Sequence, residues 1–270
     1  MMKKIILTLA LVSFLWSCKT AQLTAKNEVD VTIDLVNVKD DKVMVTTIAP
    51  TITTDKVTFH IPKTVPGTYS EDDYGRFIEG FKAYDAKGNS LSAAKIDENS
   101  YTISDAKKLA KVTYWVNDTF DTETGGHFSG ESEDVFSPAG TNIKAGENFM
   151  LNTHAFIGYF DTNTETPYKL TVQHPANLLG VSAMNDSDAS NTTDVFYTTR
   201  YASLVENPIM YSKPDFTEFM VDDMQIIISV YSPTGKFTAK DITPNMETMM
   251  KAQKRFLGQM NTTKKYAILL

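Results

Sequence analysis

Residues 29–49 read VDVTIDLVNVKDDKVMVTTIA, and apolar and polar side chains alternate through them. Val29, Val31, Ile33 and Leu35 fall on one face, a charged turn occupies residues 39–42, and Val43, Val45 and Thr47 continue the pattern. A period of two is the period of a strand, so the stretch predicts a β-hairpin with one face against a core. Working outward, alternating runs recur at Val57-Phe59-Ile61, Phe81-Ala83, Val112-Tyr114-Val116, Leu170-Val172 and Met224-Ile226-Ile228-Val230, with turn signals at residues 85–88 (DAKG) and 232–235 (SPTG). Short strands at this spacing predict a mainly β domain over residues 29–240, an antiparallel sandwich or saddle-like sheet.

The character of the chain changes near residue 240. In residues 245–260, NMETMMKAQKRFLGQM, the side chains of Met246, Met249, Met250, Gln253, Phe256, Leu257 and Met260 recur at helical spacing, and Pro244 with Asn245 supplies a start signal. This methionine stripe reads as packing surface rather than a cofactor box. Residues 266–270, YAILL, then read as a short buried strand. The expectation is that residues 241–270 are a helix and strand beginning a truncated further domain. On that reading residues 19–240 fold without the tail, whose backbone groups and apolar side chains lack partners.

The amino terminus has the layout of a secretory signal: Lys3 and Lys4, an apolar stretch over residues 5–16, then Ser17 and Cys18. About twelve apolar-rich residues fall short of the roughly 20 needed to span a bilayer. Cys18 is the single cysteine of the chain, and Leu15-Trp16-Ser17-Cys18 resembles a lipobox, so residues 1–17 are expected to leave as a lipoprotein signal peptide, Cys18 to be lipidated and residues 18–28 to serve as a tether. The competing reading is an ordinary signal peptide with an incidental cysteine. The expected location is the bacterial cell envelope, lipid-anchored to the membrane and facing the periplasm. Loss of Lys3 and Lys4 lowers the net charge from −7 to −9, which argues against nucleic acid as a partner.

No HExxH pair, nucleophile elbow, phosphate loop or paired-cysteine metal motif is present. His127 lies near Glu131, Glu133 and Asp134, a combination that could hold a divalent ion, but the glycines and serines around it describe a solvated acidic loop without the supporting hydrogen bonds a metal site needs. Pro66-Gly67 suits the central positions of a type II turn, where proline presets one dihedral and glycine supplies the positive one.

Taken in order, IPKTVPGTY (61–69), FKAYDAKGNSL (81–91), VTYWV (112–116), LNTHAFIGYF (151–160), YKLTVQHP (168–175) and YASLVENPIM (201–210) resemble the N-terminal domain of the glycyl aminopeptidase family of zinc metallopeptidases, which often carry a PDZ domain. The resemblance implies a non-catalytic, cleft-forming domain of an exported peptidase. Its zinc and its HExxH machinery would lie in a following thermolysin-like domain, and peptide substrate would be met through that domain. No catalytic residue, metal ligand or cofactor is expected within this chain. In related larger zinc aminopeptidases a polar residue on a strand of this domain reaches the substrate amine. Asn152 and His154, which flank Thr153 and would share one face of a strand, are the candidates here, against the plainer roles of a turn cap and a satisfied sheet residue. Glu206 is a candidate cleft carboxylate or a turn residue. The rival functions are a stand-alone envelope lipoprotein binding module without enzymatic activity and a small metal-dependent hydrolase built on the His127 loop.

Overall fold

A computed structural model describes residues 27–67, 70–120 and 135–270. The hairpin is present: Val29–Lys39 and Lys42–Ile48 pair antiparallel, and Val31, Ile33, Val43 and Val45 lose all solvent contact. Asp40 and Asp41 turn the chain at positive φ, a backbone region aspartate enters more readily than most residues. The hairpin sits inside a seven-stranded sheet ordered Thr193–Thr198, Tyr168–Gln173, Val29–Lys39, Lys42–Ile48, Leu109–Asn117, Ile78–Asp85 and Ser90–Leu91. Val29–Lys39 and Tyr168–Gln173 run parallel, with Val29 opposite Tyr168; the other pairs of this sheet are antiparallel.

Two four-stranded sheets share the core of the large one. The first is ordered Tyr159–Phe160, Lys56–His60, Ser100–Ser104 and Ala93–Asp97; the second Leu179–Ser182, Ile209–Ser212, Asn148–Leu151 and Asn142–Lys144. The first packs on the large sheet through Phe59, whose ring centroid lies 5.0 Å from Phe160, 5.5 Å from Phe81 and 5.7 Å from Tyr114. Burial of each such ring stabilises by roughly 1.5–3 kcal/mol, so this cluster fixes the sheets against each other. The mainly β reading of the sequence stands.

The C-terminal segment differs from its expectation. Phe216–Val221, Met224–Ser229 and Lys265–Leu269 form a three-stranded sheet in which the last strand runs parallel to the middle one, with Ile226 opposite Tyr266 and Ile228 opposite Ile268. The tail strand therefore has a hydrogen-bonded partner along one edge and is not an orphan. The helix Ala239–Leu257 makes the crossover between the two parallel strands and closes a separate core of Val221, Met224, Ile226, Ile228, Val230, Ala239 and Met250. Packing thus changes near residue 216, whereas the division at residue 240 follows the change from strands to helix. A fold of residues 19–240 alone would strip this core of its cover.

The helix also starts earlier than Pro244. Thr238 accepts from the Asp241 backbone N–H while Asp241 accepts from that of Thr238, a reciprocal cap that fixes the first turn. Pro244 is then accommodated inside the helix. Of the methionine stripe, Met250 is buried and Met246 packs at the core margin, while Phe256 and Met260 stay 87% and 80% exposed. Lys265 ties the small unit to the large one by donating to the Met184 carbonyl at 2.7 Å.

Candidate functional site

A cavity of about 730 Å³ opens between residues 62–66, the turn around Pro138 and the helix Tyr201–Val205. Asn152, His154 and Glu206, drawn from segments some fifty residues apart in sequence, all line it. The strand expected to present Asn152 and His154 ends at Leu151, and Thr153–Phe156 is a single helical turn. They are therefore not paired by strand alternation. Tertiary hydrogen bonds override the local pattern: the Thr153 hydroxyl donates to the Leu204 carbonyl at 3.0 Å, Tyr114 donates to Phe156 at 2.9 Å and Tyr201 to Ile157 at 2.6 Å. Gly158 completes the bend, because a Cβ there would lie 2.4 Å from the His60 carbonyl oxygen.

Asn152 is held with unusual definition. Its amide nitrogen donates to the carbonyls of Gly140 at 2.6 Å and Pro138 at 3.2 Å. Two carbonyls can be faced only by the NH₂ end, so the amide orientation is fixed and Oδ1 remains as an acceptor. His154 is 4% exposed, with Nε2 3.3 Å from the Ala139 carbonyl and its ring edge-on to Tyr74 at 4.7 Å. Burial pulls its pKa down to about 4, against the opposing pull of the Ala139 carbonyl, the Asp72 charge and the Val205 backbone. His154 is thus a neutral imidazole at pH 7. The Tyr74 hydroxyl donates to Asp72 at 3.1 Å, and burial raises its pKa.

Glu206 follows the helix Tyr201–Val205 as its C-cap, is exposed, and makes no ion pair among the described residues. The rest of the lining is mostly apolar, formed by prolines with Tyr159 and Tyr201, whose rings lie 4.8 Å apart, together with Thr64, Thr164 and Lys63, which is ion-paired with Glu71 at 2.8 Å. Tyr159 in turn stacks on His60, whose Nδ1 lies 2.9 Å from the Ser100 hydroxyl. The sequence reading missed these tyrosines; only the Pro66-Gly67 turn, with Gly67 at φ 96°, pointed to this rim. Cys18, His127, Glu131, Glu133 and Asp134 lie outside the described residues. Among the described residues no group of three or more His, Cys, Asp and Glu side chains is placed to hold a metal ion.

With the cavity in place, comparison with known proteins defines the lineage. The model of the peptidase M61 N-terminal domain matches residues 30–213. The chain belongs to that family. The chain is also similar in structure to an aminopeptidase N family protein from Idiomarina loihiensis, with a TM-score of 0.71 at 17% identity over 88% of this chain, and it spans 38% of the length of that protein. At that identity the likeness is one of fold. An M1 zinc metallopeptidase from Deinococcus radiodurans aligns over 90% of this chain and 56% of its own at 9% identity, with a TM-score of 0.44. The search of curated proteins gave no match. The M61 match ends at residue 213, three residues before the three-stranded sheet begins.

Proposed function

We propose that this M61 N-terminal domain forms one wall of the substrate cleft of an exported zinc metallopeptidase of glycyl-aminopeptidase type and is itself non-catalytic. The convergence of Asn152, His154 and Glu206 on one largely apolar cavity carries the reading. Each offers chemistry a peptide end would use. The Glu206 carboxylate suits an ammonium group, the locked Oδ1 of Asn152 accepts an N–H, and the proline and tyrosine wall takes an uncharged side chain. Neutral His154 adds no repulsion against the ammonium. The zinc, the general base and the cleavage step belong in this proposal to a catalytic domain of the same peptidase.

Leucinamide, with a free amine and no carboxylate, tests the cleft in the purified chain. It should bind, N-acetyl-leucinamide should not, and Glu206→Gln should weaken binding roughly tenfold, the worth of one hydrogen bond to a charged group. Equal binding of the acetylated compound, or no binding of either, would overturn the reading.

The proposal places the domain on the membrane of the cell envelope through a lipid on Cys18, supported by the basic residues, apolar stretch and single cysteine of the amino terminus. Labelled fatty acid should enter the chain in cells and fail to enter Cys18→Ser. Equal incorporation in the two would remove the anchor.

A further inference from the structure

The inner face of the seven-stranded sheet carries the core, and on its outer face the side chains of six adjacent strands line up in register. Thr171 lies opposite Thr32, Thr32 opposite Thr46 and Thr46 opposite Thr113, with Val195 and Lys82 continuing the line at either end. Four threonine side chains therefore stand side by side at the inter-strand spacing of about 4.8 Å, and the whole line crosses roughly 24 Å of sheet. All four are half-buried, whereas Thr47, next in sequence to Thr46, faces the core and is fully buried. Among the described residues none of the four hydroxyls has a hydrogen-bond partner. Threonine is a common strand former, but an unbroken rank of four across neighbouring strands is also a repeating array of donors and acceptors.

The surroundings set what such an array can hold. Its charges are answered nearby: Lys42 pairs with Glu79 at 2.9 Å, Lys169 stands opposite Asp30 on the parallel strand, and the Lys111 ammonium lies 5.5 Å from the centre of the Tyr84 ring. On a chain of net charge −7 this face has no block of like charge, so neither a phosphate backbone nor an anionic lipid surface finds its counter-charge here. Met44 and Ile48 are parted by Thr46, which denies the face the apolar centre of a protein interface. Aromatic surface is present at both ends. Trp115 follows Thr113 by two residues on the strand Leu109–Asn117 and lies against Gly80, and Tyr197, 58% exposed, stands two residues beyond Val195.

We propose that this face binds an uncharged, extended glycan, a chain of equatorially linked sugar rings laid across the strands with its hydroxyls on the threonine line and its outer rings against Trp115 and Tyr197. A sugar ring in such a chain advances by about one inter-strand spacing, so successive rings meet successive threonines. Each ring brings hydroxyls to the threonines and an apolar C–H face to the aromatic side chains. A neutral ligand leaves the paired charges of the face undisturbed. None of the residues lining the peptide cavity belongs to this face, and the inference does not depend on the cleft reading. The domain thereby holds a polysaccharide on a surface separate from its peptide site.

Cellohexaose and maltohexaose are both uncharged glucose hexamers, the first extended through equatorial links and the second coiled. Titration calorimetry and NMR of labelled threonine methyls in the purified chain test the proposal with this pair. Cellohexaose should bind and shift the methyls of Thr32, Thr46, Thr113 and Thr171 while leaving that of buried Thr47 in place, and maltohexaose should do neither. Thr32→Val combined with Thr46→Val keeps the branched shape and strand preference of both side chains and removes two hydroxyls. It should weaken cellohexaose binding roughly tenfold, the worth of two neutral hydrogen bonds. Tyr197→Ala, at an exposed position, should also weaken binding and serves if the valine variant fails to fold. No binding of cellohexaose, equal binding of maltohexaose, or wild-type affinity in the substituted proteins would overturn the proposal. Binding of dextran sulfate in place of cellohexaose would overturn it equally, in favour of a charged partner.

Discussion

Replacing Asp194 by alanine is expected to destabilise the fold by roughly 3–5 kcal/mol, the cost of leaving buried polar partners without their counterpart. Asp194 sits on the strand Thr193–Thr198 at the edge of the seven-stranded sheet and accepts from the Tyr211 hydroxyl at 2.7 Å. Tyr211 belongs to the second four-stranded sheet and is fully buried, so this hydrogen bond staples two sheets together. The other carboxylate oxygen lies 3.4 Å from Nε2 of His174, which is 3% exposed. A Cβ at Gly180 would lie 2.5 Å from the carboxylate, so the glycine is what lets the strands approach there.

Burial pulls the His174 pKa down, but the adjacent Asp194 carboxylate, the Pro175 carbonyl and the more distant Asp186 outweigh it, and the net shift is upward from 6.5. The sign follows from linkage. A base whose native pKa is raised adds stability that is complete below pH 6.5 and is lost as pH rises through the native value. Denaturant unfolding of the wild type should therefore weaken on the alkaline side of pH 6.5, and Asp194→Ala should be less stable throughout and lack that slope. An Asp194→Ala protein within about 1 kcal/mol of wild type, a typical surface-level change, would show that the staple carries little load.

The second large effect has the opposite sign and comes from the cavity. His154 titrates at 6.5 when unfolded and near 4 when folded, so the unfolded chain takes up its proton first as pH falls. Stability contributed by this group is complete above pH 6.5 and is lost progressively down to about pH 4, by about 3 kcal/mol in all. Carboxylates titrate in the same range, so the comparison must be with His154→Gln, which keeps a donor but has no charge to acquire. Between pH 7 and pH 4 the wild type should lose about 3 kcal/mol more than the variant. Parallel stability curves for the two proteins would mean that the imidazole is solvated when protonated, and that the cavity is wetter than its lining suggests.

Much of the fold was legible because alternation is a local signal. The hairpin of residues 29–49, the runs around Phe59, Tyr114 and Leu170, and the Pro66-Gly67 turn all follow from side-chain period and turn chemistry. The site was legible only as a set of residues. The family resemblance puts Asn152 and His154 on a strand, yet the chain turns there because Thr153, Tyr114 and Tyr201 bond to carbonyls distant in sequence. No local pattern encodes such partners. The helix start was misplaced for a related reason: Pro244 is a strong local signal, but Thr238 and Asp241 cap each other and set the boundary six residues earlier. The tail strand was identified as a strand, and what escaped notice was its parallel neighbour, reached only through the helix crossover.

One pairing governs how the molecule comes to be assembled. Val29–Lys39 lies between a hairpin partner that follows it immediately and a parallel partner roughly 140 residues further along the chain. The hairpin can form as soon as it is synthesised, but its outer edge stays unpaired until Tyr168–Gln173 emerges, well past the midpoint of the chain. Through that interval the nascent protein carries an open edge able to recruit strands from other molecules. Closure of that edge is therefore timed by the residues around Tyr168 and not by the hairpin, and the large sheet is complete only when Thr193–Thr198 follows.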